Sequence, residues 1–363
     1  MTTSCTRCEQ PETLSDGPGR LHVRMPTEHA RQKVAALLRD RGASSNATRH
    51  LVSVEVAGDG DLDPLLDAMI GALTSAERAE TRAFFAAAAA GDLLEAAIQA
   101  DSLETVRAKL RAGWLAEMLS EKRIVSMLQP IVRTGTGELF AYECLVRGVM
   151  GTSLVPPDRL FEVARAAGML SALDVGARRA AVTAASRRAG DHHVFVNFTP
   201  STVYDPRFCL RTTLEAIREV GIAPSRIVFE VVESERITDV AFVKSILDAY
   251  RAEGFRVALD DLGSGYASLG LLHALRPDFV KIDMGLVRNV DKDPWKATFM
   301  GKLLEAAHDV GVQTVAEGIE TAEELGWVEA HGADFAQGYY LGKPTLADDP
   351  TFVPVASIVK RSA

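Results

Sequence analysis

The sequence predicts an α/β protein: a closed, TIM-like (β/α)8 barrel preceded by a small α+β domain. From about residue 124 onward, short β-rich runs alternate with amphipathic helical segments, most of which end at a glycine, the residue favoured just after a helix. Repeated βα units imply a parallel sheet covered by helices, and about 230 residues of them suit one closed barrel. An open, doubly wound sheet is the alternative. No GxGxxG sequence opens a helix after the first strand, which argues against its dinucleotide-binding form.

Composition limits the function classes. The chain has 363 residues, of which 47% are hydrophobic and 25% charged, so it can bury a sizeable core. A net charge of -9 argues against a general DNA-binding protein, although it permits a small phosphorylated ligand held by a local basic group. We find neither an apolar run of membrane-spanning length nor a secretory signal, so we expect a cytoplasmic protein with no membrane partner.

The first twenty residues are polar and irregular and carry Cys5 and Cys8 as a CxxC pair. We expect a flexible terminus over 1–20. A metal site, completed elsewhere or across a dimer, and a redox pair remain alternatives, because one CxxC supplies half the ligands of a structural zinc site. Cys144 and Cys209 lie in apolar segments, where buried packing is the expected role.

Residues 21–100 are predicted to form the small α/β domain, with a regulatory or interaction role toward an unknown protein partner. Alternating and helical patterns predict a βαβα unit that ends near residue 75. Thr74, three residues before Glu77, opens a capping box that leads into further helix through about Glu121. Within that stretch, 101–122 is predicted as one connecting amphipathic helix, because its apolar residues recur at helical spacing.

The ionisable residues of the barrel segment follow its apolar runs. Carboxylates, carboxamides and one lysine stand at the ends of successive predicted strands: Glu143, Asn197, Glu230, Asp260, Asp261, Lys281, Glu317 and Gln337. In a (β/α) barrel the carboxyl ends of the strands meet on one face, so these side chains should converge. Carboxylates so close together require cations, and a site with oxygen ligands and no Cys or His favours Mg²⁺ or Mn²⁺.

A pair of divalent ions held by shared carboxylates suits phosphoryl displacement by an activated water. Lys281 could hold that water, and Arg147, four residues after Glu143, could neutralise a phosphate. We therefore expect a metal-dependent phosphodiester hydrolase. An enolase-like lyase is the rival, since that chemistry also uses carboxylate-bound Mg²⁺ and a lysine at barrel strand ends.

Residues from about 124 to 350 resemble the EAL domain family of bacterial cyclic di-GMP phosphodiesterases. The motifs occur in the order and approximate spacing of that family: LQPIV (128–132), ECLVRG (143–148), NFTP (197–200), EVVES (230–234), DDLGSGYASL (260–269), VKID (280–283), AEGIE (316–320) and QGYYLGKP (337–344). The resemblance implies a barrel domain over 123–352 with one antiparallel strand. It also implies hydrolysis of cyclic di-GMP to linear 5'-pGpG with two Mg²⁺ or Mn²⁺ ions per site, whereas Ca²⁺ is expected to inhibit.

The resemblance also implies roles for individual residues, by position in its motifs. The first metal would be bound by Glu143, Asn197, Glu230 and Asp260, and the second by Asp260 and Asp261. Glu143 is also expected to be a catalytic residue. Lys281 and Glu317 would position and activate the water. Gln129, Arg147 and Gln337 would contact substrate. Glu233 would anchor the loop after Asp261 and couple it to a homodimer interface on the barrel.

Two positions depart from the family pattern. Cys144 replaces the Ala of E-A-L, a small apolar exchange that should preserve packing. Leu262 replaces the usual aromatic residue of the D-D-F-G loop and removes a ring that would help to order that loop. A non-hydrolysing cyclic di-GMP receptor or scaffold that signals through its N-terminal part is the alternative to an active enzyme.

Overall fold

The computed structural model describes residues 14, 17–58, 60–87, 93–231, 237, 239–263 and 269–349. The chain divides into two compact units. The first comprises residues 1–123 and 158–173, and the second comprises 124–157 and 174–363. The sequence-based division places the barrel domain over 123–352 as one continuous segment, whereas residues 158–173 cluster with the first unit.

The first unit contains a four-stranded antiparallel sheet in the order β2-β3-β1-β4. Its elements, in chain order, are β1 (Gly19–Arg24), α1 (Glu28–Asp40), β2 (Ser45–Ala47), β3 (Leu51–Val56), α2 (Leu62–Ala72), α3 (Ser75–Glu80) and β4 (Arg82–Ala87). This is the β-α-β-β-α-β arrangement of ferredoxin-like domains. Alternate strand residues such as Leu21, Val23 and Val54 are buried in one core with apolar residues of α1 and α2.

The start signals in this unit form as the sequence predicts. Thr27 caps α1 by accepting the Ala30 N–H. Thr74 and Glu77 form the reciprocal capping box of α3, with the Thr74 N–H donating to Glu77 Oε2 over 2.8 Å. Each such cap satisfies backbone donors that a helix start would otherwise leave unpaired.

Two helix predictions in the first unit are wrong. Residues 82–87, which the prediction made helical, form β4, because they pair in antiparallel register with β1 and bury Ala83 in the sheet core. The predicted helix over 101–122 is two helices, since the backbone leaves helical geometry at Ala112, just before Gly113. The helices that follow β4 are α4 (Leu93–Ile98), α5 (Leu103–Arg111), α6 (Gly113–Ser120) and α7 (Pro157–Ala166).

The second unit is a closed eight-stranded barrel. Its ring is β5 (Ile124–Arg133), β6 (Leu139–Met150), β8 (His193–Phe198), β9 (Ile227–Val231), β10 (Arg256–Leu262), β11 (Phe279–Ile282), β12 (Gln313–Ala316) and β13 (Phe335–Gln337), with β7 (Ser153–Val155) and β14 (Thr345–Leu346) as short additions. β5 is antiparallel to both its neighbours, β6 and β13, and the other ring pairs are parallel. The predicted barrel with one antiparallel strand is confirmed.

The helices of this unit follow the strands as the βα pattern predicts. They are α8 (Leu170–Arg188, which begins in the first unit), α9 (Pro206–Val220), α10 (Val240–Ala252), α11 (Leu269–Leu275), α12 (Met284–Val287), α13 (Pro294–Asp309) and α14 (Ala322–Ala330), with 3₁₀ turns at Pro200–Thr202 and Pro224–Arg226. Among the described residues, no helix is long and apolar enough to cross a membrane.

The interior of the barrel begins with a hydrophobic layer to which each ring strand contributes one residue. The eight side chains are fully buried: Ile131, Ala141, Phe195, Val228, Ala258, Phe279, Val315 and Phe335. Packing one side chain per strand fills the barrel as a solid core. This layer is the floor on which the site stands.

Candidate active site

A second, polar layer lies directly above the hydrophobic one. Two residues further toward the carboxyl ends of the parallel strands, each strand presents its next inward side chain: Gln129, Glu143, Asn197, Glu230, Asp260, Lys281, Glu317 and Gln337. Side chains of a strand alternate between its faces, so every second residue points inward. In the antiparallel β5 the same step runs backward along the chain, from Ile131 to Gln129. The eight ring strands thus bring together eight predicted residues.

Lys281 occupies the middle of this layer. Its Nζ lies 2.7 Å from Glu317 Oε1, 3.0 Å from Asp260 Oδ1, 3.1 Å from Glu230 Oε1 and 3.3 Å from Glu143 Oε1. Lys281 is 1% exposed and Glu230 is fully buried. One ammonium group therefore faces four carboxylates from four different strands, an excess of negative charge in a site shielded from water.

The carboxamides of the layer orient Glu143. Asn197 Nδ2 donates to Glu143 Oε1 over 3.2 Å, and Gln337 Nε2 donates to Glu143 Oε2 over 2.7 Å. Gln129 stands opposite Glu143 in the β5–β6 register, and its Nε2 donates to the Gly342 carbonyl over 3.2 Å. Both oxygens of Glu143 accept a hydrogen bond, so its carboxylate is held in one orientation.

Burial and charge separate the pKa values of these groups. Burial acts to raise the pKa of Glu143, but the Lys281 charge and the amide donors of Gln337 and Asn197 outweigh it, and the pKa lies below its ordinary value. Burial raises the pKa of Glu230 well above its ordinary value, although Lys281 opposes this. Burial also acts to lower the pKa of Lys281, but the carboxylates around it raise that pKa well above its ordinary value. Lys281 is therefore a permanent cation.

Asp261 joins the cluster through an irregularity in β10. Consecutive strand residues normally point to opposite faces, but the β10–β11 register shifts between Leu259 and Leu262, and Asp261 has a φ of +54°. One oxygen each from Asp260, Asp261 and Glu317 consequently lies within 4.8 Å of the others. Burial and the charge of Asp260 raise the pKa of Asp261 to about 6, and burial raises that of Glu317 to about 8.

The donor set fits a hard divalent cation. Both carboxylate oxygens of Glu230, Oδ1 of Asp260 and Oε1 of Gln337 are buried and accept no hydrogen bond of good geometry from any described residue. Glu230 Oε1 and Asp260 Oδ1 contact the Lys281 ammonium, which they share with two further carboxylates. Buried acceptors are ordinarily paired, so these oxygens indicate a further positive partner. Carboxylate and carboxamide oxygens are ligands that Mg²⁺, Mn²⁺ and Ca²⁺ prefer.

The other predicted positions lie at or beyond the edge of this layer. Arg147 is on the same face of β6 as Glu143, four residues further on, and donates from a guanidinium nitrogen to the Val146 carbonyl over 2.7 Å.

Cys144 is buried, and its Sγ donates to the Ala181 carbonyl over 3.8 Å. Leu262 is buried in the barrel's outer core. Glu233, Cys5 and Cys8, like most of the LGSGYAS loop, lie outside the described residues.

Sequence reasoning missed supporting residues around this layer. Gly338 directly follows Gln337. A Cβ atom added at Gly338 would lie 2.1 Å from the Ile319 carbonyl oxygen, so no side chain fits at this position. Asp174 and Arg178 are buried behind the loop that follows β8. A Gly after Gln and an Asp–Arg pair at i,i+4 spacing are common on exposed surfaces, so the sequence carried no signal for either feature.

The fold and site define a class of protein, namely TIM-like barrels whose mouth is a carboxylate-rich, divalent-cation type of site. The family model described as EAL domain matches residues 112–344. The chain belongs to the EAL domain family.

Individual relatives agree with this assignment. The chain is 29% identical over 260 residues to an uncharacterized signaling protein of Caulobacter vibrioides. The match covers 69% of this chain and 32% of that relative. It is 29% identical over 254 residues to the probable cyclic di-GMP phosphodiesterase PdeG of Escherichia coli, covering 68% of this chain and 48% of PdeG. The chain thus spans less than half the length of these curated relatives.

A solved structure also matches the barrel. The c-di-GMP bound form of a standalone EAL protein from Vibrio cholerae O395 is 36% identical, with a TM-score of 0.57. The match covers 64% of this chain and 96% of that one.

Proposed function

We propose that this protein is a cyclic di-GMP phosphodiesterase that hydrolyses its substrate to linear 5'-pGpG with two Mg²⁺ or Mn²⁺ ions. The observation that carries the proposal is the polar layer itself, in which Lys281 Nζ lies within 3.3 Å of four carboxylates from different strands. The buried oxygens of Glu230 and Asp260, which accept no hydrogen bond of good geometry from a described residue, supply ligand positions. The relatives add the substrate: PdeG is named as a probable cyclic di-GMP phosphodiesterase, and the Vibrio cholerae protein binds c-di-GMP.

In this proposal Glu143, Asn197, Glu230 and Asp260 hold one ion, and Asp260 with Asp261 holds the second. When bound, the two ions would offset charge on the phosphodiester and make a water easier to deprotonate. Glu143 enters this arrangement already ionised and oriented, because Asn197 and Gln337 donate to its two oxygens. A ligand held in one orientation loses little conformational freedom on binding, which favours tight coordination.

Lys281 and Glu317 act on the attacking water. Their 2.7 Å contact fixes a donor beside a carboxylate, so a water at this point can donate to Glu317 while Lys281 orients its oxygen. The water oxygen forms a bond to phosphorus, the bond from phosphorus to the 3' oxygen breaks, and the leaving oxygen takes up a proton as a 3'-hydroxyl. The floor of buried aromatic and aliphatic side chains excludes bulk water from below.

Substrate contacts would come from the rim of the layer. Gln129 and Gln337 flank Glu143 and present carboxamides, which can donate to nonbridging phosphate oxygens or base edges. Arg147 lies further toward the mouth on the same strand face and supplies a guanidinium for a phosphate. A homodimer coupled through Glu233, a cytoplasmic location and a protein partner of the first unit belong to the same proposal.

The test incubates the purified full chain with cyclic di-GMP and Mg²⁺ and separates the products by liquid chromatography with mass detection. We expect pGpG from the wild type, loss of at least about 100-fold in rate for Glu143→Ala, and wild-type activity for Glu138→Ala, an exposed glutamate before the same strand. Ca²⁺ in place of Mg²⁺ should allow substrate binding and suppress turnover. Binding without product would identify a receptor or scaffold, and equal activity of Glu143→Ala would refute the metal mechanism.

A further inference from the structure

A buried ion pair stands behind the loop that connects β8 to α9. Asp174 and Arg178 on α8 are each 2% exposed, and the Arg178 guanidinium donates from Nη2 over 2.9 Å and from Nε over 3.1 Å to Asp174 Oδ2. The other hydrogen-bond donors and acceptors of the pair bond to neighbouring elements. Arg178 Nη1 donates to Thr213 Oγ1 on α9 over 2.7 Å. The pair therefore links two helices and is satisfied by more than its own members.

Asp174 makes its other contacts to the loop. Its Oδ1 accepts the backbone N–H of Thr199 over 2.9 Å, and its Oδ2 accepts the Thr202 hydroxyl over 3.1 Å. The same hydroxyl oxygen lies 2.7 Å from the Thr199 carbonyl, so the two acceptors share its single proton. Pro200 begins a 3₁₀ turn between Thr199 and Thr202. Both carboxylate oxygens thus fix the same turn at its two ends.

This turn begins two residues after Asn197. Phe198, between Asn197 and Thr199, packs against Phe229 and Tyr250 with ring centroids 6.1 Å and 5.3 Å away. With Phe198 held by packing and Thr199 held by a charge-assisted hydrogen bond, the end of β8 has little freedom to move. The Asn197 side chain, 3.2 Å from Glu143, consequently sits at a fixed depth in the polar layer.

We infer that Asp174 is a positioning residue for the site: through the Thr199–Thr202 turn it sets the position of Asn197, and the buried Arg178 guanidinium holds the Asp174 carboxylate in place. A buried ion pair is a weak source of net stability, since a well-packed apolar pair is often as stable. Groups that orient metal ligands, in contrast, commonly change metal affinity by about 10 to 100-fold when removed. The inference takes its metal site from the proposed function but does not require hydrolysis.

The test compares Mn²⁺ affinity, by titration calorimetry, with thermal stability. The double variant Asp174→Leu, Arg178→Met replaces the pair by apolar side chains of similar size. We expect a melting temperature close to wild type and a Mn²⁺ dissociation constant raised about 10-fold or more. Asp174→Asn keeps an oxygen that can accept from Thr199, so it should retain more of the affinity than the double variant. Thr213→Val, which removes an Arg178 partner without touching the turn, is the matched control and should bind Mn²⁺ as wild type does.

Wild-type Mn²⁺ affinity in a folded double variant would overturn the inference. If that variant does not fold, Thr202→Val decides, because it removes the hydroxyl contact of the turn to Asp174 and leaves the ion pair in place. We expect it to weaken Mn²⁺ binding, and an affinity equal to wild type together with an unchanged position of Asn197 amide signals by NMR would overturn the inference. Failure of the proposed function has a different signature, since a wild type that binds Mn²⁺ and releases no pGpG would leave the affinity comparison intact.

Discussion

Replacing Lys281 by methionine tests whether one ammonium group holds the polar layer together. The substitution keeps an unbranched side chain of similar length and removes the charge that Glu143, Glu230, Asp260 and Glu317 face over 2.7 to 3.3 Å. Removing one partner of a buried ion pair costs about 3–5 kcal/mol, because the other is left uncompensated. For a barrel of about 230 residues, each kcal/mol corresponds to about 2–4 °C, so melting should fall by about 6–20 °C.

The assay is differential scanning calorimetry of the full chain in EDTA, where no divalent ion can substitute for the lysine. Lys302→Met is the matched control, because Lys302 is 76% exposed and an exposed ion pair such as that with Glu305 contributes little. Saturating Mg²⁺ should reduce the difference in melting temperature between Lys281→Met and wild type, because bound cations supply positive charge to the same oxygens. A melting temperature of Lys281→Met in EDTA within about 2 °C of wild type would refute the electrostatic reasoning.

Three further predictions concern other parts of the barrel. Gly338→Ala should destabilise it by about 3 kcal/mol in urea unfolding, because the added Cβ meets rigid backbone. Glu230→Gln removes a buried carboxylate repelled by its neighbours, so in calorimetry the metal-free protein should melt no lower than wild type, yet lose most of the rise that Mg²⁺ produces. Burial and nearby arginines lower the pKa of His193 to about 4, so folding favours its neutral form. The free energy of unfolding should therefore fall by about 1–2 kcal/mol as the pH drops from about 6.5 toward 4.

Two of these predictions have a control variant, and the third has a result that would contradict it. Gly326→Ala lies in α14 with open space around the added Cβ and should be neutral or stabilising, so equal effects of the two glycine changes would contradict the steric argument. An undiminished Mg²⁺ response of Glu230→Gln would exclude it as a ligand. His193→Phe keeps the ring that stacks on Phe140 at 4.7 Å and should remove that part of the acid sensitivity, whereas His308→Phe on the surface should not.

Much of the barrel and its site could be predicted from local pattern. Strand residues alternate between two environments, and each apolar run carried a polar residue two positions beyond an inward apolar one, as in Phe195 and Asn197 or Phe279 and Lys281. The closure of the barrel then turns eight such steps into one layer. The first unit was harder to predict, because Arg82–Ala87 is short and rich in alanine, and only its pairing with β1 makes it a strand.

The sequence by itself determined the fold class, the strands of the barrel and the identity of the polar layer, because these follow from periodicity within short segments and from motif order. Tertiary structure decided what depends on neighbours distant in the chain. The bulge that turns Asp261 toward Asp260, the lowered pKa of Glu143 beside the raised pKa of Glu230, and the burial of Asp174 with Arg178 are such features. These features depend on burial away from water and on contacts between different elements. Both are established only when the barrel closes, so the sequence of a single segment does not reveal them.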